Sequence, residues 1–426
     1  MISKHIYIWQ SGEPLQIDKK NHNPMRAINL SNFLLKKNFK VTLICSNFDH
    51  TYKKFRYTNI KKFKIFKIKK NLNLVLINSS GYKKNISLQR LFDHFHLALN
   101  LNFFLKNNKE MPDIAFIGFP PIEPAIAFSL WLVKNKIPHV FDIKDLWPEY
   151  FYERMRNKVL SIFIKLLFVF HDLILTRSFK KSSGIIANNN YFLDYILKKI
   201  KRNKTNRDNV VYLTKPVLHY ESNSFLKNIN FNEKIFNLYF CGRIDLDVFD
   251  FITVFKALNI LNNKGFEFHF YVAGYGDLDN LLKLRDQNQL QKNVTLVGFV
   301  DKYNHSLLLR KTNLFLAPFF NNLNFSSNLS NKFIEAIQYD LPILTPLKKA
   351  VSRFILNNKI GLIYKEKDYN DLAKKIVILK KKLNKNKSIK NNLVNLSTTL
   401  FDHEKNYSKI IKILNIIYLN EKFKYK

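Results

Sequence analysis

Tyr239–Pro346 carries YFCGRID (239–245), FHFYVAGYGD (268–277), NVTLVGFV (293–300), NLFLAPF (313–319) and, after SNKFIEAIQYD (330–340), LPILTP (341–346). Each is a short apolar run followed by polar or glycine-bearing residues, and helical patterns such as Phe251–Leu261 and Asp279–Asp286 lie between them. Strand and helix patterns in alternation predict βαβ units and a parallel sheet. Open sheets of this kind bind ligands beyond the carboxyl ends of their strands, where this stretch places Gly242, Arg243, Gly274, Gly276 and Gly298. The chain has only 10 Gly in 426 residues, far below the usual share of about 7%. Each glycine is therefore expected to mark a constrained backbone: a turn or cap, or a close approach to a ligand.

Working outward, the first half repeats the pattern. HIYIWQ, KVTLICS, LVLINS, DIAFIGF, HVFDI, GIIAN and VVYL read as strands, and Pro24–Lys37, Leu88–Leu105 and Ala125–Lys134 as helices, with Asn23 a candidate N-cap. The fold class expected is α/β, with two doubly wound Rossmann-like domains facing across a cleft. The boundaries expected are 1–216 for the first domain, 217–233 for a linker, 234–400 for the second, and 401–426 for a helix returning to the first.

Composition narrows the class further. Lys and Arg number 70 against 32 Asp and Glu, a net charge of +38, which favours polyanionic or anionic-lipid partners. Abundant Lys, Asn, Ile and Phe would also follow from an AT-rich genome, which makes part of the charge compositional. A basic nucleic-acid-binding protein is one alternative, but most of the 39 Phe fall within core-like patterns rather than on a basic face. The two cysteines, Cys45 and Cys241, close apolar strands and are expected as reduced buried thiols. No charged and then apolar leader precedes HIYIWQ, and no apolar run reaches 18 residues, so a cytoplasmic protein without a membrane span is expected. His94 and His96 are spaced i, i+2, which puts them on different faces of a helix.

Neither a dinucleotide fingerprint after the first strand, which runs into QSGEPLQID, nor a Walker signature is present. What the chain resembles instead is glycosyltransferase family 4, retaining nucleotide-sugar enzymes of the GT-B fold. The likeness over 236–364 rests on ordered elements: GR, AGYGD, VGFV, NLFLAPF, K-x-x-E and DLPIL. In the first half, WQSGEP, NPMRAINLSNFL, SNFDH, GFPPIEP and FDIKDLWPE resemble a bacterial surface-polysaccharide (O-antigen and capsule) subgroup.

The resemblance implies roles, and the chemistry is consistent with them. A departing nucleotide diphosphate gathers negative charge, which calls for fixed cations and amides; Arg243 and Lys332 match the family's diphosphate contacts, and Lys332 opens a helix whose first amides suit phosphate. Glu335 matches the carboxylate that holds the ribose hydroxyls, and the spacing of Phe333, Ile334 and Ile337 leaves it free to face the cleft. The family's paired glutamate is replaced by Ser327, so Ser327, Ser330 and Asn331 stand on the donor-sugar side, Phe299 at the base, and Gly12, Gly242, Gly274 and Gly276 near the phosphates. Asp145 stands where many relatives have a histidine by the donor sugar, and Glu13, Arg26, Asp49 and His50 are expected on the acceptor side. No cofactor or metal is expected. The runner-up mechanism uses a metal held by Asp245-Leu-Asp247 or Asp277-Leu-Asp279. The partners implied are a nucleotide-diphosphate sugar, a lipid-linked glycan acceptor and an anionic membrane surface, with no nucleic acid. Arg154–Lys181, apolar with basic flanks, reads equally as a helix docking on the inner face of the cytoplasmic membrane or as a core helix.

Overall fold

The computed structural model describes residues 4–18, 24–85, 87–149, 162, 165–166 and 168–424. The chain divides into two compact units, one made of Met1–Leu213 with Asn406–Lys426 and the other of Thr214–Lys405. Residues 217–233, expected as a linker, cluster with the second unit; they include a helix, Asn223–Asn228, and the Leu218 N–H donates to Tyr339 Oη at 2.8 Å.

In chain order the strands are β1 (His5–Trp9), β2 (Lys40–Ser46), β3 (Phe48–Asp49), β4 (Lys54–Phe55), β5 (Phe63–Lys69), β6 (Leu72–Ile77), β7 (Ile114–Phe119), β8 (His139–Ile143), β9 (Gly184–Ala187), β10 (Asn209–Val210), β11 (Phe236–Ile244), β12 (Phe268–Gly276), β13 (Val294–Gly298), β14 (Leu314–Leu316), β15 (Ile343–Thr345) and β16 (Gly361–Ile363). The first unit's sheet has the order β10-β9-β8-β7-β1-β2-β6-β5, and only the edge pair β5–β6 is antiparallel. The second unit's sheet, β13-β12-β11-β14-β15-β16, is parallel throughout. Counted from β11, that order is 3-2-1-4-5-6, the Rossmann order, whose direction reverses between β11 and β14. The first sheet reverses likewise between β1 and β7.

Strands covered on both faces explain the near-continuous apolar runs. Ile6, Ile8, Val41, Leu43, Leu74, Leu76, Ile114 and Phe116 form the heart of the first core. The last helix, His403–Lys424, adds Tyr407, Ile410, Ile413, Leu414 and Ile417 to it. Two local readings shift. The first helix is Arg26–Lys36 with Met25 at its N-cap, so Pro24 lies just outside it, and Asn23 lies outside the described residues. Of Arg154–Lys181, residues 154–161, 163, 164 and 167 also lie outside them; the described helix Val169–Lys181 buries Leu175, Ser178 and Phe179 and exposes Phe170 and Leu173. Among the described residues no helix is long and apolar enough to cross a membrane.

Candidate functional site

In the second unit a cationic cluster gathers where β11 ends. Lys332 lies in the first turn of the helix Asn331–Gln338, and its Nζ sits 4.3, 4.9 and 5.6 Å from the ring centroids of Phe249, Phe240 and Phe319. The ammonium fills the space above Gly242, where a Cβ would overlap it; Gly242 itself has φ +148°. Lys332 has no hydrogen bond or ion pair with any described residue. Desolvation by its packed surroundings lowers its pKa to about 8, against the raising influence of Cys241 and Glu335. A cation held by rings alone, beside helix-terminal amides, is poised for an anion.

Three residues on from Lys332, Glu335 is 7% exposed and does not face outward. It accepts hydrogen bonds from Lys215 Nζ and, at 3.2 Å, from His305 Nε2. Burial alone would raise its pKa, but Lys215 and His305 outweigh that and bring it to about 2. His305 is pushed up in turn: burial opposes its charge, and Cys241 and Glu335 more than offset the burial. Its Nδ1 lies 2.8 Å from Tyr239 Oη. The sequence expectation that Glu335 is free thus needs correcting, because helical periodicity shows which residues can reach the core and not which distant cations meet them there. Lys215, His305 and Lys332 outnumber the two acidic groups they face, Glu335 and the Cys241 thiol, whose pKa His305 lowers against the effect of burial. The cluster is thus left electropositive, as a diphosphate requires.

Arg243, two residues past Cys241, is exposed and has no partner among the described residues. Ser327 is buried. The Oγ of Ser330 and the Oδ1 atoms of Asn331 and Asn324 are buried with no hydrogen-bond partner among the described residues, so this turn holds unsatisfied polar atoms beside Lys332. Phe299, after the +73° turn at Gly298, is 55% exposed. Gly274 and Gly276 have reasons internal to the sheet: a Cβ on either would strike the carbonyl of Gly242 or Ile244 on the paired strand. The first aspartate of each D-x-D sequence serves a local turn, with Asp245 Oδ1 accepting from Asp247 N at 3.1 Å and Asp277 accepting from Asn280 at 2.9 Å. Among the described residues no group of three or more His, Cys, Asp or Glu is placed to hold a metal ion.

In the first unit, a cavity of about 210 Å³ lies at the carboxyl ends of β1, β2, β7 and β8. It brings together Gly12, Glu13, His50 and Asp145 from the sequence reading with Lys144, Arg90 and Trp147, which that reading did not select. Lys144 Nζ donates to Gln10 Oε1 at 2.6 Å and to Glu13, whose other oxygen accepts the Ala27 N–H at 2.8 Å. Glu13 is thus a tie between the cavity and the helix Arg26–Lys36. The Arg90 guanidinium lies 4.7 Å from the Trp147 ring centroid and 5.3 Å from that of Tyr82, and His50 pairs with Tyr82. A carboxylate-and-amide wall with an aromatic face suits a sugar.

Two acceptor-side residues lie elsewhere. Arg26 is fully buried, with Nε 3.4 Å from Asp142 and Nη2 2.5 Å from the Val211 carbonyl, so it serves the core. Asp49 turns its Oδ1 to the N–H groups of Thr51 and Tyr52, 2.7 and 3.2 Å away, and so fixes a loop. Lys144 and Trp147, both within FDIKDLWPE, left a sequence signal; Arg90, His305 and Lys215 fall in no motif that the sequence singles out.

The architecture is that of the GT-B fold. Over 98% of this chain and 100% of the other, it is similar to sucrose-phosphate synthase from Thermosynechococcus elongatus, with a TM-score of 0.71 at 12% identity. It is similar to Anabaena HepE in complex with UDP-glucose, with a TM-score of 0.64 at 13% identity over 97% of this chain and 99% of that one. WaaG, a glycosyltransferase involved in lipopolysaccharide biosynthesis, gives 0.62 at 13% identity over the same shares. Residues 236–382, which hold His305, Lys332 and Glu335 but not Lys215, match the family Glycosyl transferases group 1. No curated protein sequence matches the chain. The domain match and the fold together support a glycosyltransferase.

Proposed function

We propose that this chain is a retaining glycosyltransferase of family 4. It moves a hexosyl or N-acetylhexosaminyl group from a UDP-linked sugar to a lipid-linked glycan, in bacterial surface polysaccharide synthesis of the O-antigen, lipopolysaccharide or capsule type, at the cytoplasmic face of the inner membrane. The observation that carries the reading is the unpaired Lys332 ammonium above Gly242 at the sheet's reversal point. There it would take up charge on the diphosphate as the glycosidic bond breaks, with Arg243 and the helix amides beside it. Glu335 would accept the ribose hydroxyls, alongside the bonds it takes from Lys215 and His305. HepE binding UDP-glucose and WaaG acting in lipopolysaccharide synthesis lend support to the donor and the pathway. Transfer proceeds without a carboxylate nucleophile, a reading that rests on the family resemblance and on the absence of a paired-carboxylate signature in the sequence.

A thermal-shift screen of UDP, GDP, ADP and their sugars tests the donor. The right nucleotide at 100 times its Kd adds about 2.7 kcal/mol of stability. No stabilisation by any of them, with an oligonucleotide stabilising instead, would return the chain to the nucleic-acid reading. Product NMR then reads the anomer, and inversion refutes retention.

A further inference from the structure

The helix Leu88–Asn107 is apolar on two faces. It buries Leu97, Leu101, Phe104 and Leu105 together with Asp93, His94 and Asn100, while Leu88, Phe92, Phe95, Leu99 and Phe103 point outward, between 39% and 84% exposed. Steps of three and four residues make these five one stripe, on the face where a surface helix ordinarily carries charge. The buried polar groups have work: Asp93 accepts the Gly81 N–H at 2.6 Å and Asn100 donates to the Asn78 carbonyl at 2.9 Å. An apolar stripe of this extent marks a binding surface.

Beside it, bounded also by the helices Ile122–Lys134 and Val169–Lys181, runs a groove of about 650 Å³. Phe95, which belongs to both stripe and groove, lines it with Ala98, Ile126, Leu130, Trp131 and Ile174, and Lys106 and Lys134 supply the charge. That volume lies within the range of about 300–1,000 Å³ of small-molecule sites. Glu123 and His171 also line the groove; Glu123 lies 3.3 Å from His171 and 3.3 Å from His94, and His94 lines the polar cavity of Glu13, Lys144 and Trp147. Glu123, between His171 of the groove and His94 of the polar cavity, thus links the two linings.

We propose that the groove holds the hydrocarbon chain of an amphiphilic, anionic acceptor whose sugar end occupies the polar cavity. The inference rests on the reading of the acceptor as lipid-linked. The stripe then lies in the bilayer from which the acceptor is drawn. Charge selects this occupant over a second copy of the chain, because two surfaces of a +38 protein repel one another whereas Lys106 and Lys134 attract a phosphate-linked lipid.

Dodecyl phosphate brominated along its chain is the probe, since bromine in the groove quenches Trp131. Saturable quenching is expected, and Ala127→Phe, which fills the groove, should weaken it at least tenfold while leaving stabilisation by UDP unchanged. Leu130→Glu, at an exposed groove position, repeats the test with little demand on packing, should Ala127→Phe fail to fold. Absence of saturable quenching, or quenching indifferent to both variants, overturns the proposal. So does a dimer in sedimentation velocity that Phe92→Asp dissolves. UDP stabilisation without quenching would defeat the groove alone and leave the transferase standing, while quenching without UDP stabilisation would defeat the donor reading.

Discussion

Raising the pH should strip the candidate donor site of its central cation, and the size of the effect follows from Lys332. Its pKa of about 8 means that most molecules carry the ammonium at pH 7 and about a tenth do at pH 9. Phosphate titration is complete by about pH 7.5, since its second pKa is near 6. Between pH 7.5 and 9.5 the nucleotide keeps its charge while Lys332 loses its own. The sign is fixed: deprotonation removes an attraction for the anion, so UDP binding weakens as pH rises, approaching tenfold per unit above pH 8. That slope equals 1.36 kcal/mol per unit, within the roughly 4 kcal/mol of a unit-charge contact at 4 Å and an effective dielectric of 20. Calorimetric titration of UDP at half-unit steps measures it, with Lys332→Met as the reference. The variant should bind more weakly at pH 7.5 and show no slope. A wild-type slope of zero, or a Lys332→Met protein that binds as wild type does, refutes the placement of diphosphate at this ammonium.

Two further outcomes follow from the ion pairs. Glu335, brought from 4.5 to about 2, contributes stability that is complete above about pH 4.5 and lost as pH falls toward 2; the contribution is on the order of 3 kcal/mol, so urea unfolding curves of wild type and Glu335→Gln should converge across that window, and parallel curves would disprove the pairing. Arg26→Ala leaves Asp142 as a buried charge without its arginine and should cost about 3–5 kcal/mol in denaturant unfolding with UDP affinity intact, whereas a cost below about 1 kcal/mol would return Arg26 to the binding surface.

The second sheet was legible because its strands are covered on both faces and separated by helices, so YFCGRID, FHFYVAGYGD, NVTLVGFV, NLFLAPF and LPILTP each became a strand in Rossmann order. β5 was not legible. Its FKIFKIK sequence reads as a basic run, because an edge strand with its lysines in solvent alternates charge with apolar residues. Site residues divide by the range of their contacts. Gly12, Glu13, His50 and Asp145 share one cavity because strand ends bring them there, which a strand reading implies. The pairs Arg26–Asp142 and Lys215–Glu335 join residues more than a hundred positions apart, and no local pattern announces them. The outward stripe of Leu88–Asn107 escaped for a related reason: a helix apolar on two faces does not show by periodicity which face meets the core.

The return of the last helix to the first core has a consequence for biosynthesis. The residues that surround Tyr407, Ile410, Ile413, Leu414 and Ile417 have left the ribosome long before those five are made, because all of Thr214–Lys405 is translated in between. At roughly 5–20 residues per second that interval lasts about 10–40 s. Throughout it the first unit carries an open apolar seat, while the second unit, contiguous in sequence, has all its residues in hand. The unit that begins first is therefore the one that finishes last, and the nascent chain has greatest need of a chaperone while its own final helix is still in the ribosomal tunnel.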